Sequence, residues 1–142
     1  MIPFSVNGSG RFFTHDTDIG IIGRGVSVES SFEEIANVMF SLLIDLENIH
    51  QTQVLSFEFQ AEDNAFALVT WLKLLLDKAN ERQLIFCDFR LKREGNLWKA
   101  TVAGAPWRND AQHKHEIKGV MLERLSVAKI DHLWEARCVV DV

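Results

Sequence analysis

Gln53-Val54-Leu55-Ser56-Phe57-Glu58-Phe59-Gln60-Ala61-Glu62-Asp63 decides the fold, because the hydrophobic period changes across it. Leu55, Phe57 and Phe59 alternate with Ser56, Glu58 and Gln60, the period of a strand over about 53–61 with one buried face. Asp63 is a good N-cap, since its carboxylate can accept from the first free N–H groups of a helix. Beyond it Ala65, Leu68, Val69, Leu72, Leu75 and Leu76 form a helical stripe that runs to about Arg82. A half-buried strand feeding an amphipathic helix predicts a sheet covered by helix on one face.

The same reading extends in both directions. Ser30 and Ser31, followed by Glu33 and Glu34, offer a capping box at either register. Phe32, Ile35, Ala36, Met39 and Leu43 then recur at helical spacing and predict a helix at about 31–45. Upstream lie strand-like pieces at about 11–16 and 19–28, with Gly20, Gly23 and Gly25 suited to close approach or bulging. Residues 1–10 read as a flexible lead-in to one domain over 11–142. Downstream of the second helix there is no helix signal. Strands at about 84–94 and 97–104 flank the turn-like Glu94-Gly95-Asn96, and Pro106 to Gln112 is a polar loop. Strands at about 115–128 and 133–141 meet near Lys129-Ile130-Asp131-His132. The plan is α+β, with two helices packed on mainly antiparallel sheet.

Composition narrows the function classes. An apolar fraction of 47% and a charged fraction of 25% in 142 residues, with ten Phe and four Trp, suit a globular domain with an ample core. The longest apolar run, Leu72 to Leu76, carries Lys73 and is far too short to span a membrane. No secretory leader is recognisable, so the expected location is the cytoplasm. Cys87 and Cys138 lie in apolar runs without Cys-x-x-Cys spacing and read as buried thiols. The net charge of −5 argues against direct grip on nucleic acid, and the densest basic stretch is only Arg90-Leu91-Lys92-Arg93. RNA, if involved, is held by a partner.

Chemistry-bearing residues gather near both chain ends: Phe13-Thr14-His15-Asp16-Thr17-Asp18-Ile19-Gly20 and Cys138-Val139-Val140-Asp141-Val142. Ends of compact domains often lie together, so these carboxylates can share one site for a hard cation. Alternation in the last strand puts Glu135, Arg137, Val139 and Asp141 on one face, and Trp134, Ala136, Cys138 and Val140 on the other. Asp141, the carboxylate of Val142 and Asp18 make an oxygen-rich, thiol-free set, which suits calcium, magnesium or manganese. Asp16 shares a strand face with Asp18 if that stretch is extended. Spacing alone favours the plainer reading, solvated or paired acidic residues at strand ends.

His15 can orient a carboxylate or carry a proton, or can be a structural histidine. His113-Lys114-His115 places two imidazoles on one face, but no third ligand is near in sequence. Lys118 interrupts an apolar strand and must snorkel outward or find a carboxylate. No Walker loop, nucleophile elbow, dinucleotide fingerprint or His-Glu-x-x-His is present, so catalysis by this chain alone is disfavoured.

Five motifs in order resemble the archease family: His15 to Gly20, Ala61-Glu62-Asp63 before Trp71-Leu72, Gly104-x-Pro106 followed by His113, Glu116-x-Lys118-x-Val120, and Val140-Asp141-Val142. The resemblance covers residues 12–142 and implies a fold built on a strand-helix-strand-strand module with additional strands. It also implies a non-enzymatic, metal-binding activator of the GTP-dependent RNA ligase that acts in tRNA splicing and RNA repair, with RNA reached only through the ligase. By the same resemblance Asp18, Asp141 and Val142 are metal ligands, calcium foremost, and Lys118 and His15 serve activation of the partner. A chaperone-like role on other enzymes is the alternative that the family suggests. Two positions depart from its pattern. Asp16-Thr17 stands where it usually has Thr-Ala, making Asp16 a possible extra ligand, and Gly119-Val120-Met121 stands where Ala-Val-Thr is common.

Overall fold

The structure is a computed structural model that describes residues 11–15, 18–107 and 116–142. Its elements in chain order are β1 (Phe12–His15), β2 (Asp18–Gly25), α1 (Val28–Ser41), β3 (Gln53–Gln60), α2 (Asn64–Arg82), β4 (Leu84–Glu94), β5 (Leu97–Pro106), β6 (Gly119–Ile130) and β7 (Leu133–Asp141). β1-β2-β7-β6 form one antiparallel sheet and β3-β5-β4 a second. This is the α+β architecture expected from the sequence.

The switch at residue 60 occurs as read. Phe59 is buried while Ser56, Glu58 and Gln60 face solvent, and Asp63 caps α2 by accepting from Ala65 N at 2.9 Å. The first helix departs from expectation: it begins a turn earlier, at Val28, so β2 stops at Gly25. Ser27 and Ser30 form the capping box, each side chain accepting the other's backbone N–H at 3.0 Å. That leaves Ser31 and Glu33 free for other partners. Ser31 Oγ donates to Val28 O at 2.7 Å, and Glu33 Oε2 accepts from Leu91 N of β4 at 2.8 Å. The helix also ends earlier, at Ser41, and a 3-10 turn over Leu46–Asn48 follows that periodicity did not foretell. β6 starts at Gly119, so Lys118 precedes the strand instead of interrupting it. The expected lead-in at 1–10 lies outside the described residues, as do 108–115 of the loop and strand start expected there.

α1 lies on β2 and β7 of the first sheet and against β4 of the second, while α2 packs on β6, β4 and β3. The seam is aromatic. Phe32 of α1 stacks on Trp98 of β5 at 5.2 Å, Trp98 on Phe59 of β3 at 5.8 Å, and Phe59 on Trp71 of α2 at 6.3 Å. Each such pair contributes roughly 0.5–1.5 kcal/mol beyond area burial. Both buried indoles are satisfied, Trp71 Nε1 donating to Phe32 O at 2.9 Å and Trp98 Nε1 to Ala61 O at 3.1 Å. Trp71 thereby ties the two helices together at the centre of the core.

Gly23 sets how closely α1 approaches the first sheet, because a Cβ there would overlap Ile35 N and Ser31 O of the helix backbone. Neither atom can rotate away. Gly23→Ala should therefore cost about 2–3 kcal/mol, as overpacked cores do, and lower the urea midpoint at an unchanged slope.

Candidate functional site

The β2–β7 ladder runs from Gly25↔Trp134 to Ile19↔Val140, and Asp18, the first residue of β2, and Asp141, the last of β7, are the next residues beyond that final pair. Opposed residues of an antiparallel pair project to the same face. Asp18 and Asp141 therefore share the face that also carries Gly20, Ile22 and Arg24 of β2 and Val139, Arg137 and Glu135 of β7. On the other flank of Asp141 stands Gly119, where a Cβ would meet nothing among the described residues within 4 Å. Lys118 reaches the same end, its backbone N donating to Asp141 O at 2.7 Å while its side chain is exposed. Val142 follows directly and is half-buried.

Three stretches distant in sequence, Asp18, Lys118-Gly119 and Asp141-Val142, thus lie at one end of the four-stranded sheet. His15 joins through its main chain, since its Cα pairs with Asp18. The His15 side chain, Asp16 and the His113–His115 pair lie outside what is described. Among the described residues no ion pair links Lys118 to either carboxylate. Nor do the described residues gather three or more His, Cys, Asp or Glu side chains into a metal cluster.

The donor set favours a hard cation over a soft one. The nearest thiol, Cys138, sits on the opposite face of β7 and is fully buried. Burial pushes its pKa up to about 12, outweighing a backbone hydrogen bond at Val139 that lowers it, so the thiol is protonated at neutral pH and faces away from the carboxylates. What remains is carboxylate and main-chain oxygen beside open space, chemistry that suits calcium, magnesium or manganese with water completing the shell.

On the same sheet face lies an array that sequence reading did not assemble. Arg24 Nε and Arg137 Nη2 both donate to Glu135, each at 3.1 Å. The Arg137 guanidinium lies over the Phe13 ring, 5.4 Å from its centroid. Alternation revealed that Glu135 and Arg137 accompany Asp141. Arg24 and Phe13 could be added only from the strand register.

A second acidic group lines a cleft of ≈ 270 Å³ between α1 and β4, including Glu33, Glu34, Cys87 and Asp88. Cys87 falls at the β4 bulge between Phe86 and Asp88 and is only half-buried, where the sequence predicted a buried thiol. Desolvation and the neighbouring Asp88 charge raise its pKa, so this thiol too is protonated at neutral pH. Glu33 has a structural task there, capping a main-chain N–H on the free edge of β4.

Residues 11–142 match the archease protein family. The chain belongs to the archease family. The archease of Pyrococcus abyssi is 29% identical over 136 residues, which cover 92% of this chain and 96% of that protein. The solution structure of Methanobacterium thermoautotrophicum protein 1598 superposes with a TM-score of 0.82 at 23% identity, covering 93% of this chain and 97% of that one. A crystal structure from Thermotoga maritima, described as an archease and possible chaperone, gives a TM-score of 0.67 at 21% identity, over 90% and 93% of the two chains. The two structures establish a shared fold. No helix among the described residues is long and apolar enough to cross a membrane.

Glu33 provides a pH test of the acidic cleft. Burial raises its pKa, outweighing the lowering effect of the Leu91 N–H. A raised native pKa means stability that is complete below the ordinary carboxyl value and is lost as pH rises through the shifted one. Glu33→Gln removes that titration but keeps an acceptor for Leu91. Urea melts should show Glu33→Gln gaining on the wild type between pH 4 and pH 7.

Proposed function

We propose that this archease is a non-catalytic accessory protein of the cytoplasm that carries a divalent cation to a GTP-dependent RNA ligase and promotes its guanylylation and repeated turnover. Calcium is the favoured ion, with magnesium or manganese as substitutes. Asp18 and Asp141 hold it through carboxylate oxygen and Val142 through main-chain or terminal oxygen, with Asp16 as a further ligand. His15 and Lys118 act on the partner. The observation that supports the reading is the β2–β7 register, whose last pair, Ile19↔Val140, leaves Asp18 and Asp141 as the next residues at one sheet end beside Gly119.

The bound cation would neutralise phosphate charge at the interface. Everything else falls to the chain's own residues. The carboxylates bind and orient the ion, and the main-chain bond from Lys118 to Asp141 O fixes the end of β7 that presents it. Lys118 leaves its ammonium in solvent, available to a phosphate or carboxylate on the ligase. A net charge of −5 favours encounter with a basic, RNA-holding protein and disfavours contact with RNA itself.

The description of the Thermotoga relative as a possible chaperone motivates a second reading, a general protein-interaction module. The two separate in one experiment. With purified ligase and labelled GTP, stoichiometric addition of this protein should raise the guanylylation rate, and Asp18→Ala or Asp141→Ala should abolish the gain. Full activity in both variants, together with suppressed aggregation of unrelated enzymes, would favour the chaperone.

Lys118 gives a finer test. The Lys118 main chain adjoins Asp141, so its solvated ammonium adds positive potential at the site and opposes a metal by a fraction of a kcal/mol across a wet surface. Lys118→Ala should thus bind calcium about threefold more tightly in calorimetry, yet lose activation of the ligase. Weaker calcium binding in that variant counts against the competition.

A further inference from the structure

We infer that Phe13 and Arg137 are positioning residues for Asp18, an inference that rests on the cation site proposed above. Asp18 opens β2 and depends for its placement on two neighbours, β7 on one side and β1 on the other. The β1 contact is short: Phe12↔Ile21, Phe13↔Gly20, Thr14↔Ile19 and His15↔Asp18, on a strand with no second partner among the described residues. So brief a ladder frays unless its side chains are anchored.

Phe12 provides one anchor, packing at the margin of the main core on the α1 side. The other anchor lies on the opposite face. Phe13 covers Gly20 so closely that a Cβ on that glycine would overlap the ring. With Ile22, Val139 and the partly buried Met121 it forms an apolar cluster separate from the main core. Val139 is fully buried on this face although α1 lies on the other side of the sheet. Met121, one of the positions where this chain departs from the family pattern, supplies part of that cover.

Arg137 holds the Phe13 ring in place. Its guanidinium sits over the ring at 5.4 Å and is itself pinned by Glu135, which also takes Arg24. The Glu135 side chain is only 10% exposed, so these ion pairs are partly desolvated and stiffer than surface pairs. A continuous series of contacts runs Arg24–Glu135–Arg137–Phe13–Gly20 along the sheet face and stops two residues short of Asp18. It fixes β1 on β2, and β1 fixes the residue from which Asp18 projects.

The test is calorimetric titration of the full chain with calcium chloride, beside amide hydrogen exchange without metal. Removal of supporting contacts around metal ligands commonly costs about tenfold or more in affinity, so Phe13→Ala should bind calcium about tenfold more weakly. Phe13→Leu, which keeps apolar cover over Gly20, should recover most of that loss. Arg137→Met should weaken binding by about threefold, and Arg137→Lys, which keeps the charge, by less. Exchange should quicken at the β1–β2 pairs of Phe13→Ala while the β2–β7 ladder stays protected. Asp63→Ala, a remote loss of the α2 cap, is the control for stability alone and should bind calcium as the wild type does. Equal affinity in Phe13→Ala and a calcium-binding wild type overturns this inference alone, as does a matching loss in Asp63→Ala. A wild type that takes up no divalent cation overturns the proposed site and this inference with it.

Discussion

The antiparallel pairing of β2 with β7 is the contact on which the rest of the molecule depends. It joins residues 19–25 to residues 134–140, nearly the full length of the chain. Closing so long a loop costs little more than closing one half as long, because closure entropy grows only logarithmically with length. What repays the closure is the inner face of this ladder, where Ile21, Ala136, Cys138 and Val140 are all fully buried. Gly23 then admits the α1 backbone to that surface, and the Trp71 indole ties α2 to α1 through Phe32 O. The second sheet and both helices are thus assembled against a seam that the two chain ends provide.

Most of this was legible because period and chemistry agreed locally. The change from period two to helical spacing around Asp63 located β3 and α2, and Glu94-Gly95-Asn96 located the β4–β5 hairpin. The α1 boundary was misread for a definite reason. Ser30 with Glu33 and Ser31 with Glu34 both fit the usual capping-box pattern, whereas the box that forms, Ser27 with Ser30, has no acidic partner to signal it. Glu33 is drawn to Leu91 on β4 and Glu34 to Arg11, so neither is available to cap. Lys118 was misplaced similarly, because an apolar context resembles strand whether or not the register continues.

At the candidate site the individual residues were legible and their geometry was not. Alternation assigned Asp141, Arg137 and Glu135 to one face of the last strand. Nothing in the sequence said that Asp18 would lie at the same sheet end as Asp141, because that follows from a pairing more than a hundred residues apart. The same pairing brings Arg24 to Glu135 and Ile22 beside Arg137, turning isolated charges into a network. Motif resemblance supplied the site residues without the sheet that unites them.

That sheet makes the acidic pair physically pointed. Like charges side by side on neighbouring strands destabilise a sheet. A fold has a simple remedy, which is to place a cation between them, and this chain has one within a single main-chain hydrogen bond of Asp141. Yet Lys118 directs its charge to solvent, and the arginines of this face are engaged with Glu135. Among the described residues, Gly119 also leaves the flank of Asp141 open, where a larger side chain would fill it. Elsewhere on the same face the Glu135 carboxylate is met within contact distance by both Arg24 and Arg137. Along this sheet face, then, the carboxylate of Glu135 is held by two guanidinium groups, while those of Asp18 and Asp141 have no ion pair from Lys118 among the described residues.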